Sequence, residues 1–302
     1  MVLGNNNAGI EKTSTAAEEL SGLQPMLTFR GLDVFEFRGR DCPAAMREIG
    51  LLRERIFRKS GAGRGGELDL DGLDFGPYAY TQLIAFDPEE EEIVATYRYQ
   101  WGSRAAEGGD QVLRTSSLFD YSDDFRRNRL PYAMELGRSV VNDLARRRRF
   151  GLFAIWKGLA AFLKAHPQLR YFFGNVTLYK TMDAGARDLL VAWLGTHYPS
   201  PGPMLQAKPE VHYSPGAGQT AAVRDAVDAG MPDTPSNRIK KLRSLLAGYG
   251  EAIPPILQSY LAAGTGIWFG ETVFDEDFGN ALEIGIVIPV SEIDRDFRAR
   301  FE

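Results

Sequence analysis

A single cysteine, Cys42, stands among 302 residues, which excludes an intrachain disulfide and a zinc site built from cysteines. Histidine is almost as scarce. His166, His197 and His212 are scattered with no His-x-x-x-His pair, so no metal centre is expected. No apolar run approaches the roughly 20 residues that cross a bilayer. The opening MVLGNNNAGIEKTSTAAEEL lacks the basic start and apolar core of a secretory signal, so the expected address is the cytoplasm, with peripheral contact at the inner membrane surface within reach. Nor is there an excess of positive charge: 35 Lys and Arg against 40 Asp and Glu leave a net charge of -5, which argues against a nucleic-acid partner. Gly-x-Gly-x-x-Gly and Walker-type loops are missing as well.

What remains is an ordinary composition, 44% hydrophobic and 25% charged, sufficient for one sizeable core. Residues 1–25 read as a flexible tail and 26–302 as one domain, with a Pro- and Gly-rich variable insertion near 199–240 taken as a loop or lid. The alternation in LTFRGLDVFEF predicts one strand, and Met46, Ile49, Leu52 and Ile56 predict a helix after it. AYTQLIAFD and EIVATYRYQWG, separated by PEEEE, form a predicted hairpin; YAMELGRSVV and RYFFGNVTL are further strands around an apolar helix, FGLFAIWKGLAAFLKAH. Helices then recur, and GIWFGETVF and ALEIGIVIPV are the last strands. The order β-α-β-β-β-α-β-α predicts an α/β domain with a mixed sheet flanked by helices, not a strictly alternating dinucleotide-binding fold.

Three charged features stand out. Glu135 and Arg138 occupy a predicted buried strand, where residues three apart face opposite sides and each needs its own partner. They are either structural ion pairs or, for Glu135, a proton acceptor at a cleft. Arg146, Arg147, Arg148 and Arg149 precede Gly151 and a helix start. They read as a solvated turn or as a site for a phosphate and an acidic partner, supported by free helix N–H groups. Asp69, Asp71 and Asp74, in ELDLDGLD, lack the calcium-loop pattern. They form a solvated acidic loop or a set of carboxylates that orient an amino group.

LRERIFRKSG, LDLDGLD, EIVATYRYQWG, MELGRSVV, RRRFGLFAIWKGL, YFFGNVTL and the C-terminal IPPILQSYLAAGTGIWFGETVFDEDFGNALEIGIVIPVSEI resemble, in order, the hemolysin-like N-acyltransferases of the GNAT superfamily that make ornithine or glycine lipids. The set Arg53, Phe57, Asp71, Asp74, Arg98, Glu135 and Arg138 is also similar to that of acyl-homoserine lactone synthases, although glycines stand where those enzymes have a Trp. The resemblance implies a GNAT-like fold with a C-terminal helix-strand extension and no permanently bound cofactor. It implies a (3-hydroxy)acyl donor carried on acyl-carrier protein, or on CoA, and an amino-acid acceptor such as ornithine or glycine. The lyso-aminolipid formed would pass to a separate O-acyltransferase. On this reading Glu135 is the general base, Asp71 and Asp74 position the ammonium, and Arg138 and Arg53 hold carboxylates. Phe57 and Arg98 belong to the substrate site, Asn175 and Thr177 line the acyl pocket, and backbone N–H groups around Val140 and Val141 meet the oxyanion. The four arginines with Gly151 receive the phosphopantetheine phosphate and the carrier. An acyl-homoserine lactone synthase, an acyl-CoA-dependent small-molecule N-acyltransferase and a non-catalytic carrier-binding protein are the alternatives.

Overall fold

The computed structural model describes residues 14–228 and 234–300. The chain begins with α1 (Ala16–Ser21), β1 (Leu27–Phe29), β2 (Leu32–Arg38) and α2 (Pro43–Lys59). Then come β3 (Thr81–Asp87), β4 (Glu92–Trp101), α3 (Ala105–Gly108), β5 (Phe119–Tyr121), α4 (Asp123–Asn128), β6 (Ala133–Val141), α5 (Arg148–Ala165), β7 (Tyr171–Leu178) and α6 (Ala184–His197). The last third holds β8 (Leu205–Ala207), β9 (His212–Tyr213), α7 (Ala217–Asp228), α8 (Pro235–Ala247), α9 (Pro255–Ala263), β10 (Trp268–Asp275), β11 (Ala281–Pro289) and α10 (Arg295–Ala299).

Nine strands form one mixed sheet in the order β1-β2-β3-β4-β6-β7-β11-β10-β9, and β5 with β8 makes a small second sheet. Only the β6–β7 contact is parallel; the other neighbours in the large sheet run antiparallel. Helix α5 packs on one face, where Leu83, Tyr99, Ile155 and Leu159 share a core with α6 and α9. On the other face α2 buries Met46, Ile49 and Leu52 against Phe35, Ile84 and Val140. The C-terminal helix-strand extension is integral to the sheet, because β11 lies between β7 and β10. No helix among the described residues is long and apolar enough to cross a membrane.

Three local readings change. The single strand expected over LTFRGLDVFEF is a hairpin: Phe29 pairs with Leu32, and Arg30 and Gly31 between them both have positive φ, as a two-residue turn of this type requires. Within the expected tail, residues 16–21 form helix α1. Thr15 and Glu18 close a capping box on α1, Leu20 is buried, and Glu19 accepts the N–H groups of Ala44 and Ala45 at 3.0 Å each. Glu19 thereby caps α2, whose own N-cap, Cys42, makes no side-chain bond. Residues 1–13 of the predicted tail lie outside the described residues, as do 229–233 of the insertion. The described part of that insertion contains elements: β8 pairs with β5, β9 extends the large sheet, and α7 buries Val223.

The sheet opens where β6 leaves β7. Residues 133–136 pair with 171–174, and β6 has no β7 partner beyond Leu136. Across β6 the register with β4 shifts between Thr96 and Arg98, opposite Arg138, whose φ of 54° is rare for a residue with a side chain. This bulge turns the strand away from β7, while β7 stays paired with β11 along its whole length.

Candidate active site

The opening holds a cavity of about 140 Å³. One side is the stretch of β6 without a β7 partner, residues 137–139; another is β7 and β11, through Asn175, Thr177 and Glu283. The start of α9 supplies Pro254, Pro255 and Ile256, and Tyr260 on the same helix joins its hydroxyl to that of Tyr97 on β4. Tyr80, Arg98, Arg114, Glu135 and Arg138 complete the polar lining, with Phe57 and Phe278 beneath Arg138.

Glu135 is buried on β6, and both its oxygens are engaged. Oε1 accepts the N–H of Thr115 at 2.7 Å; Oε2 accepts the N–H of Arg114 at 2.9 Å and the hydroxyl of Tyr80. Burial, and then the neighbouring Glu135 carboxylate, push the Tyr80 phenol well above its ordinary value, so it remains a donor. This is how a strand interior accommodates a carboxylate: three donors from elsewhere in the chain replace water.

The acidic loop is held by arginines. Arg53, fully buried on α2, donates to Asp74 at 3.1 Å and to Gln82 at 2.7 Å. Arg98 on β4 grips Asp71 with two bonds, 2.9 and 3.0 Å, and lies 2.9 Å from Asp74. Burial alone would raise both carboxyls; the Arg53 and Arg98 guanidiniums beside Asp74, and Arg98 beside Asp71, outweigh it and hold both below the usual carboxylate range. Asp69 sits 3.0 Å from Nε of Arg138. Burial lowers the Arg138 guanidinium to about 10 despite that partner, and its plane lies over the Phe278 ring at 4.6 Å. Asp71, Asp74 and Arg53, expected to position the ammonium and to hold carboxylates, do not line the cavity; Arg53 pairs with Asp74, and Asp71 with Arg98. Arg98, Phe57 and Arg138 do reach the cavity.

The arginine run divides in two. Because β4 pairs with β6, the acidic β3–β4 turn lies beside the loop before α5. Arg146 pairs with Glu90, and Arg147 with Asp87 and, at 2.7 Å, with Glu89. Arg148 and Arg149 stay exposed; the first donates weakly to the Ala145 carbonyl at 3.4 Å, and the second covers the Phe150 ring. Gly151 is not at the helix start. It lies inside α5, and a Cβ there would come 3.0 Å from that of Ala95, so its small size serves the contact between helix and sheet. Val140 and Val141 pair with Thr96 and Ala95 and do not line the cavity, whereas 137–139 do.

Asn175 and Thr177 face the cavity, but their side chains are spent on a residue that the sequence reading missed. Asn175 donates to Glu283, and the Thr177 hydroxyl lies 2.9 and 3.0 Å from the two Glu283 oxygens. Burial, and then the nearby Asp275 carboxylate, raise the Glu283 carboxyl to about 7 against the opposing pull of these donors. Its signal was present in ALEIGIVIPV, where one carboxylate interrupts a wholly apolar strand. Tyr80 and Arg114 were missed too, and carry no comparable signal. The site thus sets the β6 backbone beyond its β7 pairing beside a buried carboxylate whose proton affinity is raised toward neutrality.

The acetyltransferase (GNAT) domain family matches residues 52–156. A glycine N(alpha)-acyltransferase of Bacteroides thetaiotaomicron is 34% identical over 269 residues, covering 86% of this chain and 78% of that protein. One from Phocaeicola vulgatus is 32% identical over 278 residues, covering 89% and 83%. Among solved structures, the CoA-dependent acyl-homoserine lactone synthase BjaI with SAM and isopentyl-CoA aligns over 90% of this chain and 88% of its own, at 12% identity and a TM-score of 0.41. The chain thus belongs to the GNAT-domain family of the glycine N(alpha)-acyltransferases and is an enzyme that forms amides by acyl transfer to an amino group.

Proposed function

We propose that this enzyme moves a fatty acyl group from a phosphopantetheine thioester to the amino group of glycine, giving an N-acylglycine lipid precursor. The observation that carries the reading is the cavity at the β6–β7 opening. There the backbone of residues 137–139, a carboxylate on β11 and the Arg138 guanidinium line one space. The thioester carbonyl accepts from the β6 N–H groups, and Arg138 takes the acceptor's carboxylate. The acyl chain follows the apolar wall of Pro255, Ile256 and Val176.

Glycine is favoured over ornithine by two observations. Both curated relatives are named for glycine. Of the carboxylates among the described cavity-lining residues, Glu135 is filled by its own donors, which leaves Glu283 for one ammonium and none for a side-chain ammonium.

For the donor, the exposed Arg148 and Arg149 at the start of α5 suit the phosphate and acidic surface of an acyl-carrier protein. A (3-hydroxy)acyl chain, a following O-acyltransferase and peripheral membrane contact belong to the same reading. The test is mass spectrometry of products from purified enzyme given glycine or ornithine with palmitoyl thioesters of carrier protein and of CoA. N-palmitoylglycine is expected as the main product, formed faster from the carrier thioester; N-palmitoylornithine as the main product would refute the acceptor.

A further inference from the structure

We propose that Glu283, not Glu135, is the carboxylate that receives the acceptor's ammonium group and serves as general base for amide formation. The proposal rests on the glycine-acylation reading above and names the residue that carries its proton.

Glu135 and Glu283 both line the cavity and both are buried, yet their surroundings differ in kind. Glu135 is closed off by two peptide N–H groups and a phenol, which leaves neither oxygen without a strong donor. Glu283 receives only two neutral side chains, Asn175 and Thr177, both from the adjacent strand β7. Among the described residues no lysine or arginine forms an ion pair with it. The charged and titratable groups that face it are the Asp275 carboxylate on β10, the Arg114 guanidinium, which is itself bound to Asp275, and the Tyr179 phenol after β7. A buried carboxylate without a cation is costly, and a core normally avoids it or neutralises it. Here the chain keeps one at a cavity and holds it in place with two side chains. The cation that completes the site is supplied by the substrate.

The carboxyl is raised to about 7 by burial and by Asp275, so a large share of the enzyme holds it as carboxylate at neutral pH, ready to accept a proton. The acceptor ammonium gives one proton to Glu283. Its freed nitrogen forms the C–N bond at the thioester carbonyl carbon, and the tetrahedral adduct collapses with cleavage of the C–S bond. The second proton shed by nitrogen goes to the departing thiolate, and Glu283 passes the first to solvent. One proton is therefore released per turnover, with no other co-reactant.

The experiment compares wild type, Glu283→Gln, Thr177→Val and Glu135→Gln in initial rates of glycine acylation by a palmitoyl thioester between pH 5.5 and 9, together with thermal melts. Glu283→Gln should lower kcat/KM for glycine at pH 7 by about 100-fold or more. Its residual rate should climb about tenfold per pH unit, following the free amine of glycine, while KM for the thioester stays within threefold. Thr177→Val is close to isosteric and removes one donor from the carboxylate, so it should move the acid limb of kcat/KM upward by about one pH unit. It keeps the test decisive if the Gln variant fails to fold. An acid limb that stays in place in Thr177→Val and moves in Glu135→Gln would transfer the role to Glu135. A Glu283→Gln enzyme within threefold of wild type across the range would overturn the proposal while leaving glycine acylation intact. A wild-type enzyme that acylates no glycine with any thioester would refute the underlying reading, and this assignment with it.

Discussion

Glu283→Gln should make this enzyme more stable, by an amount that grows as pH rises from about 4.5 to 7. In the folded chain the carboxyl is raised from an ordinary 4.5 to about 7, because ionising it means placing an unpaired charge in a buried site near Asp275. The folded state therefore binds the Glu283 proton more tightly than the unfolded chain does. Between pH 4.5 and 7 the unfolded state has released a proton that the folded state retains, so this group's contribution falls as pH rises through that window and levels off above it. At 1.36 kcal/mol per pH unit the full penalty is roughly 3 kcal/mol. Glutamine keeps the shape and an acceptor oxygen for Asn175 or Thr177 but has no charge to desolvate. With a shift of about 2–4 °C per kcal/mol, the variant should melt roughly 6–12 °C above wild type at pH 8.5 and close to it at pH 5. Circular dichroism melts at matched ionic strength would read this directly. An offset equal at both pH values would refute the reasoning, since a difference in packing does not titrate. A variant that is more stable and less active is the signature expected of a carboxylate kept for chemistry at the expense of stability.

Two further outcomes test the charged framework. Arg53→Met should destabilise the fold by about 3–5 kcal/mol in urea denaturation, because it leaves the buried Asp74 carboxylate short of one of its two arginine partners; a loss under 1 kcal/mol would mean that Arg98 alone suffices. Arg148→Ala with Arg149→Ala should raise KM for a carrier-bound acyl thioester by about tenfold at low salt, and less at high salt, with KM for glycine unchanged; equal effects on both substrates would refute carrier docking at the start of α5.

The charged residues divide by how far away their partners lie. Glu135 and Arg138 stood out because charge inside a predicted strand is conspicuous in any sequence, whereas Arg98 was singled out only through the family resemblance. Their roles were not legible. Tyr80 lies 55 residues before Glu135, and the donors that close the Glu135 carboxylate come from a turn that shows no pattern of its own. Asp71 and Asp74 look free along the chain because nothing in ELDLDGLD indicates that Arg53 and Arg98 converge on that loop. The arginine run likewise looked like a docking patch until the β3–β4 turn took half of it.

Hydrophobic periodicity, glycine and proline placement and the isolated charges in apolar runs were enough to place most helices and strands and to predict a mixed α/β sheet. They act over a few residues, and the backbone responds to them locally. The site itself was decided by strand order and by one bulge. β11 comes to lie beside β7 only in the folded sheet, which brings Glu283 to Asn175 and Thr177 across 106 to 108 residues of chain. β6 loses its β7 partner beyond Leu136, next to the bulge at Arg138, and residues 137–139 line the cavity there. Which carboxylate is neutralised and which stays available depends on the side chains that the sheet sets next to it, and no local stretch of sequence carries that information.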